Sequence, residues 1–215
     1  MKTCIKYLAI TFPIVVVLTA ASILFFDREV ASTMHGLLYS PENIKKNAHL
    51  GTYLTLCAYL CMIPIFVIYY FLRLMDFDKL KFWMFIRQLS LCVVFGFFIK
   101  DCLKFFFGRN TVLMFSSGKL RFLVNPESYG FHFFKLGADS FPSGHMTMIC
   151  LGMVSIMLFY PKLRIISILM ILIMAGALLL NNLHFLGDII AGAYLGTTIA
   201  LGVYYLGVHK DETCC

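Results

Sequence analysis

Apolar residues in this chain come in long unbroken blocks separated by polar breaks, a pattern that predicts membrane-spanning helices rather than the one-sided stripes of soluble ones. The first block runs from about Tyr7 to Phe26. At ~1.5 Å per residue it covers a ~30 Å hydrocarbon core. Lys2 and Lys6 ahead of it, with Thr19-Ala20-Ala21 inside it, have the look of a cleaved leader. The apolar stretch nevertheless continues through Ile23-Leu24-Phe25-Phe26, where a cleavage region should turn polar, so the segment reads as a retained helix. A polar connection is expected from Asp27 to Leu50, with a turn at Ser40-Pro41-Glu42-Asn43.

Five more blocks follow, at about Gly51 to Leu72, Phe82 to Phe107, Met146 to Tyr160, Ile165 to Leu180 and Ile189 to Leu206. The charged break Asp76-Phe77-Asp78-Lys79-Leu80-Lys81 reads as a tight surface loop, whereas Gly108 to Ser143 is long enough to form a lid or a site. Two of the blocks are short. Starting one at Ser143 and ending the next at Asn182 brings each to about 18 residues, the minimum for a span. The expected fold is all-α: a polytopic membrane protein with six transmembrane helices in one bundle. It forms a single domain over residues 1–215, with the motif-bearing part at about 100–206.

Composition supports this pattern. Of 215 residues, 60% are hydrophobic and 13% charged, well below the quarter or so charged in soluble domains, and mean hydropathy is +0.86. Membrane lipids are therefore the expected surroundings, with no nucleic-acid partner, and nothing specifies an oligomer. The 8 cysteines do not read as a disulfide framework: Cys57, Cys61, Cys92 and Cys150 lie inside apolar blocks, and no paired metal-ligand spacing is present. Cys214-Cys215 reads as an exposed tail.

Six spans put both termini on one side. Arg73, Lys79, Lys81, Lys162 and Arg164 crowd the short loops on that side, and Lys2, Lys6 and Lys210 lie in its tails. The opposite side carries as many cations, but over far longer loops. The positive-inside rule then places the termini in the cytoplasm and the 108–143 stretch outside it.

Three elements carry chemistry. His184 and Asp188 are four apart, so on a helix they share a face, and the carboxylate can hold the imidazole in one tautomer as a nucleophile or base. The same pair can also merely staple a helix end. Pro142-Ser143-Gly144-His145 opens another apolar helix, where outward N–H groups and the helix dipole favour phosphate, and where His145 is placed to protonate a leaving oxygen. A capping Ser beside an interfacial His is the plainer alternative. Lys104 and Arg109, in Leu103-Lys104-Phe105-Phe106-Phe107-Gly108-Arg109, supply cations that either snorkel to headgroups or meet the charge of phosphoryl transfer.

These motifs resemble the type 2 phosphatidic acid phosphatase superfamily of membrane lipid phosphatases, written KxxxxxxRP, then PSGH, then SRxxxxxHxxxD. The resemblance covers Lys104 to Asp188 and the six-helix layout. It implies His184 as nucleophile, Asp188 as its orienting partner, His145 as general acid, and Lys104, Ser143 and Gly144 as phosphate ligands. No metal and no cofactor are implied.

The chain departs from the pattern twice. Thr111-Val112 stands where the family has Arg-Pro, and Ala177-Leu178 where it has Ser-Arg. Phe107-Gly108-Arg109, Tyr129-Gly130-Phe131-His132 and Ser140-Phe141-Pro142 are similar to a bacterial branch with relaxed motifs. That likeness implies Arg109 as a phosphate ligand, with Asn181, Asn182 or His132 adding hydrogen bonds. The resemblance thus implies a bacterial inner-membrane enzyme that hydrolyses a lipid phosphate monoester or diphosphate through a phosphohistidine, with its site facing the periplasm or exterior. A lipid phosphotransferase, or a catalytically impaired lipid-binding or transport-associated member of the fold, is the alternative.

Overall fold

The computed structural model describes residues 2–38, 67, 71, 81–114, 119–137 and 140–212. The expected helix over Gly51 to Leu72 (Val67 and Phe71 apart), the break from Asp76 to Leu80, Arg73, and Cys57, Cys61, Cys214 and Cys215 lie outside the described residues.

The elements are α1 (Lys2–Ala21), a π-helical turn (Ser22–Phe26), α2 (Asp27–Leu38), α3 (Lys81–Phe107), β1 (Leu113–Met114), β2 (Lys119–Leu120), α4 (Arg121–Val124), α5 (Gly144–Phe159), α6 (Arg164–Leu180) and α7 (Leu186–Glu212). The fold is mostly helical. The 108–143 stretch departs from all-α by one small antiparallel pair, with Leu113 opposite Leu120.

Among the described residues, four helical stretches are long and apolar enough to cross a membrane: Lys6–Leu37, Lys81–Phe107, Pro161–Leu180 and Leu186–Gly207. The protein is a multi-pass membrane protein on this basis, with four such helices described where six were expected. The fifth apolar helix, α5, has only 16 residues because Ser143 caps its start and Pro161 follows its end.

The first helix is longer than its apolar block. The polar connection expected from Asp27 begins instead as helix, since no strong breaker intervenes before Ser40-Pro41 and the Asp27 charge is neutralised by a distant residue. The 32-residue stretch Lys6–Leu37 is about 48 Å long at ~1.5 Å per residue, so it overruns a ~30 Å core. The excess is α2, whose Ala31 packs with Val112, Leu113, Leu120, Phe122 and Phe185 over the 108–143 stretch.

α7 sits at the centre, packed on α1, α3 and α5. Its approach to α5 is set by Gly192 and Gly196, a small-residue pair four apart on one face. A Cβ on Gly192 would lie 2.6 Å from the Ser143 carbonyl oxygen, and one on Gly196 would collide with the Thr147 carbonyl. Gln88 of α3 donates from Nε2 to the Ala200 carbonyl at 2.8 Å, a buried polar tie across the bundle. At the end remote from Ser143, Lys81 Nζ lies 5.2 Å from the Tyr160 ring centre, and Phe85 packs on Phe159 and Tyr160. The exposed Lys162 and Arg164 lie at this same end of the bundle.

Candidate active site

The end of the bundle where α5 and α7 begin brings together most of the motif residues. Ser143 is the N-cap of α5: its Oγ accepts from Met146 N at 3.3 Å, and its own N–H donates to the Asp188 carbonyl at 3.0 Å. Ser143 is fully buried, whereas Gly144 and His145 are half-buried and open the helix end toward the surface. Two lysines one turn apart on α3 flank that end. A Cβ on Gly144 would lie 3.1 Å from Lys100 Cδ and 3.5 Å from Lys104 Nζ. Lys100 also pairs with Asp101 at 2.5 Å.

His184 does not share a helix with Asp188, as the spacing had suggested. α6 stops at Leu180, Asn182 turns the chain with a positive φ of 50°, and α7 starts only at Leu186, so His184 lies in the turn ahead of it. Asp188, in the first turn of α7, reaches back to accept from Phe185 N at 3.1 Å, the acidic half of a capping box. His184 Nδ1 stands 3.7 Å from Asp188 Oδ2, beyond hydrogen-bonding distance but close enough to tighten when charge develops on the ring. The His184 and His145 rings meet edge to face with centroids 5.8 Å apart.

Arg109 is placed differently from the phosphate-facing position implied by the sequence. α3 ends at Phe107, and Gly108 just past it forms the helix stop with a positive φ of 58° and a missing Cβ that leaves room for the His132 carbonyl. The chain then turns Arg109 inward, where it is fully buried. Nη1 donates to Asp188 Oδ1 at 2.5 Å and Nη2 to Asp27 Oδ2 at 2.7 Å. The guanidinium carbon lies 4.3 Å from the Phe185 ring centre and 5.3 Å from that of Tyr129, so aromatic faces close the remaining sides. Ser140 Oγ also donates to Asp188 Oδ2.

Two of the other expected ligands, Asn181 and Asn182, are engaged in the fold. Asn181 Nδ2 donates to the Ala177 carbonyl at 2.8 Å, and Asn182, with its amide oriented to satisfy both neighbours, bridges the Ala31 carbonyl and His35 N at 3.1 Å each. His132 Nε2 is buried with no hydrogen-bond partner among the described residues. Thr111 Oγ1 bonds the Leu113 carbonyl, Val112 is in the core, and Leu178 packs with Met146, Cys150 and Ile189. No cation therefore comes from the second departed motif. Among the described residues, no group of three or more His, Cys, Asp or Glu side chains converges as metal ligands would.

Sequence reasoning missed Asp27. It read as the polar end of an apolar block, although an ionisable residue followed by uninterrupted helix-forming sequence was a usable signal. The Gly192/Gly196 spacing was legible too, as a small-xxx-small face.

A multi-pass helical bundle that gathers PSGH, HxxxD and lysines at one end is consistent with a membrane enzyme acting on lipid phosphates. The chain belongs to the PAP2 superfamily, whose sequence profile matches residues 85–211. Comparison with curated proteins and with solved structures gives no significant match.

Proposed function

We propose that the protein is a membrane phosphatase that releases phosphate from a lipid phosphate monoester or diphosphate through a phosphohistidine. The observation that carries this reading is the opposition of His184 and His145 across 5.8 Å at the open N-terminus of α5, with Asp188 behind His184. A phosphoryl group held there by the helix-end N–H groups and by Lys104 touches both rings. His184 attacks phosphorus in line, forming the P–N bond as the P–O bond to the lipid breaks, and His145 gives its proton to the departing oxygen. Water activated by His145 then cleaves the phosphohistidine and frees phosphate. Lys100, beside Lys104 on α3, supports the charge that Leu178 does not supply.

Phosphate release by detergent-purified protein, measured against phosphatidate, phosphatidylglycerophosphate, a polyprenyl diphosphate and a phosphorylated glycolipid, tests this reading. At least one lipid should turn over with free phosphate as product. Transfer to a lipid acceptor with no free phosphate would identify a phosphotransferase, and inactivity on all four would sink the hydrolase reading.

The site faces away from the cytoplasm in this proposal, supported by the basic end at Lys81, Lys162 and Arg164. Glu127 is exposed on the site side and Lys162 on the far side. With the exposed Cys102 and the other accessible thiols replaced, Glu127→Cys should label with an impermeant reagent on intact cells and Lys162→Cys should not. The reverse pattern would invert the orientation.

A further inference from the structure

We infer that Asp27, on the first helix and outside the family-matched segment, is a positioning residue that holds Arg109 and the start of α7 so that Asp188 is presented to His184. The inference rests on the reading of His184 as nucleophile. Asp27 is 1% exposed, and both its oxygens are used: Oδ2 accepts from Arg109 Nη2, while Oδ1 accepts from Gly187 N at 2.9 Å and Ser22 Oγ at 2.7 Å. Gly187 precedes Asp188 in the first turn of α7, and a Cβ on it would lie 2.9 Å from Ile23 and 3.3 Å from Asp27 Oδ2. The π-helical turn at Ser22–Phe26 delivers Asp27 to this point: Asp27 N donates to the Ser22 carbonyl, and the Ile23 carbonyl accepts from Tyr129 Oη at 2.5 Å. Asp27 therefore holds both the guanidinium that binds Asp188 and the helix turn that carries it.

Charge explains why a second carboxylate is needed. Arg109 alone against Asp188 would form a neutral pair and draw the carboxylate's charge away from His184. With Asp27 on the other Nη, the buried group of two carboxylates and one guanidinium carries a net negative charge. The Asp188 oxygen nearest His184, Oδ2, lies on the side away from the Arg109 contact. When Nε2 of His184 takes the phosphoryl group, the ring becomes cationic and that residual charge stabilises it.

Asp27→Asn keeps the size and one acceptor oxygen for Gly187 N and Ser22 Oγ, and removes the charge together with the Oδ2 acceptor that Arg109 uses. In the full chain in detergent, with the best lipid of the four above, it should lower kcat by about tenfold to a hundredfold, the range for residues that orient a reacting ligand. KM and inhibition by inorganic phosphate should stay within about twofold, and Asp27→Glu should restore part of the rate. Wild-type kcat in a folded Asp27→Asn protein, or a loss carried by KM and phosphate inhibition, would overturn the inference. Should the Asn variant fail to fold by its detergent melting curve, Ser22→Ala removes one donor to Asp27 and should lower kcat severalfold; an unchanged kcat there would also overturn it. His184→Ala measured alongside separates the two readings: activity in that variant refutes the nucleophile itself, whereas a dead His184→Ala with a normal Asp27→Asn refutes only the positioning role.

Discussion

Replacement of His184 by alanine is expected to lower phosphate release by at least about a thousandfold while the protein still folds and inserts, because losing the proposed nucleophile leaves only binding and electrostatic stabilisation. The fold should tolerate the change. His184 Nδ1 is 3.7 Å from Asp188 and makes no short hydrogen bond, and Asp188 keeps its contacts to Arg109, Ser140 and Phe185 N. A purified His184→Ala protein with a wild-type melting curve and no turnover is the expected result. Acid-labile, base-stable label on the wild-type chain after a brief reaction with radiolabelled lipid phosphate should vanish in the variant. Wild-type turnover should also persist in chelator, since Lys100, Lys104 and the α5 N-terminus carry the phosphate charge in this mechanism. Loss of activity in chelator, regained with added divalent metal, would sink the metal-free mechanism.

The parts of the fold that were legible in the sequence are those that depend on neighbours along the chain. Block hydrophobicity located α3 and α6 to within one residue and the start of α7 to within three, and the Pro-Ser-Gly-His string announced the start of α5 because a capping Ser acts within its own helix turn. The pairing of Arg109 with Asp27 was hidden in the sequence for a simple reason. A charged residue near the end of an apolar block looks like a boundary or a headgroup contact until its partner is known, and these two are partners across 82 positions. Lacking that pairing, the pattern ended the first helix at Asp27 and turned Arg109 toward substrate. The capping role of Asp188 was one of two readings left open, since the four-residue spacing to His184 fits both a helical face and a turn followed by a helix start.

Arg109 is where the motif and the geometry part most sharply, so its substitutions discriminate best. Arg109→Ala would leave Asp27 and Asp188 buried against each other without a cation, and breaking a buried pair in this way costs about 3–5 kcal/mol. The expected result is a large drop in melting temperature and in yield, with turnover lost as the start of α7 loosens. Arg109→Lys keeps the charge, but a single ammonium cannot reproduce a planar fork whose two nitrogens reach carboxylates on different helices. That variant should fold, turn over roughly tenfold or more slowly, and keep its inhibition by inorganic phosphate within about twofold, because the lysines and the α5 end assigned to phosphate in the proposed mechanism are untouched. Arg121, whose Nη2 makes only a 3.4 Å contact to Thr111 Oγ1, should tolerate alanine and serves as the control. If phosphate inhibition in Arg109→Lys falls in step with turnover, Arg109 binds substrate after all and must leave its carboxylates to do so. The buried bridge between Asp27 and Asp188 would then be the resting arrangement of the site, opened when a lipid phosphate arrives.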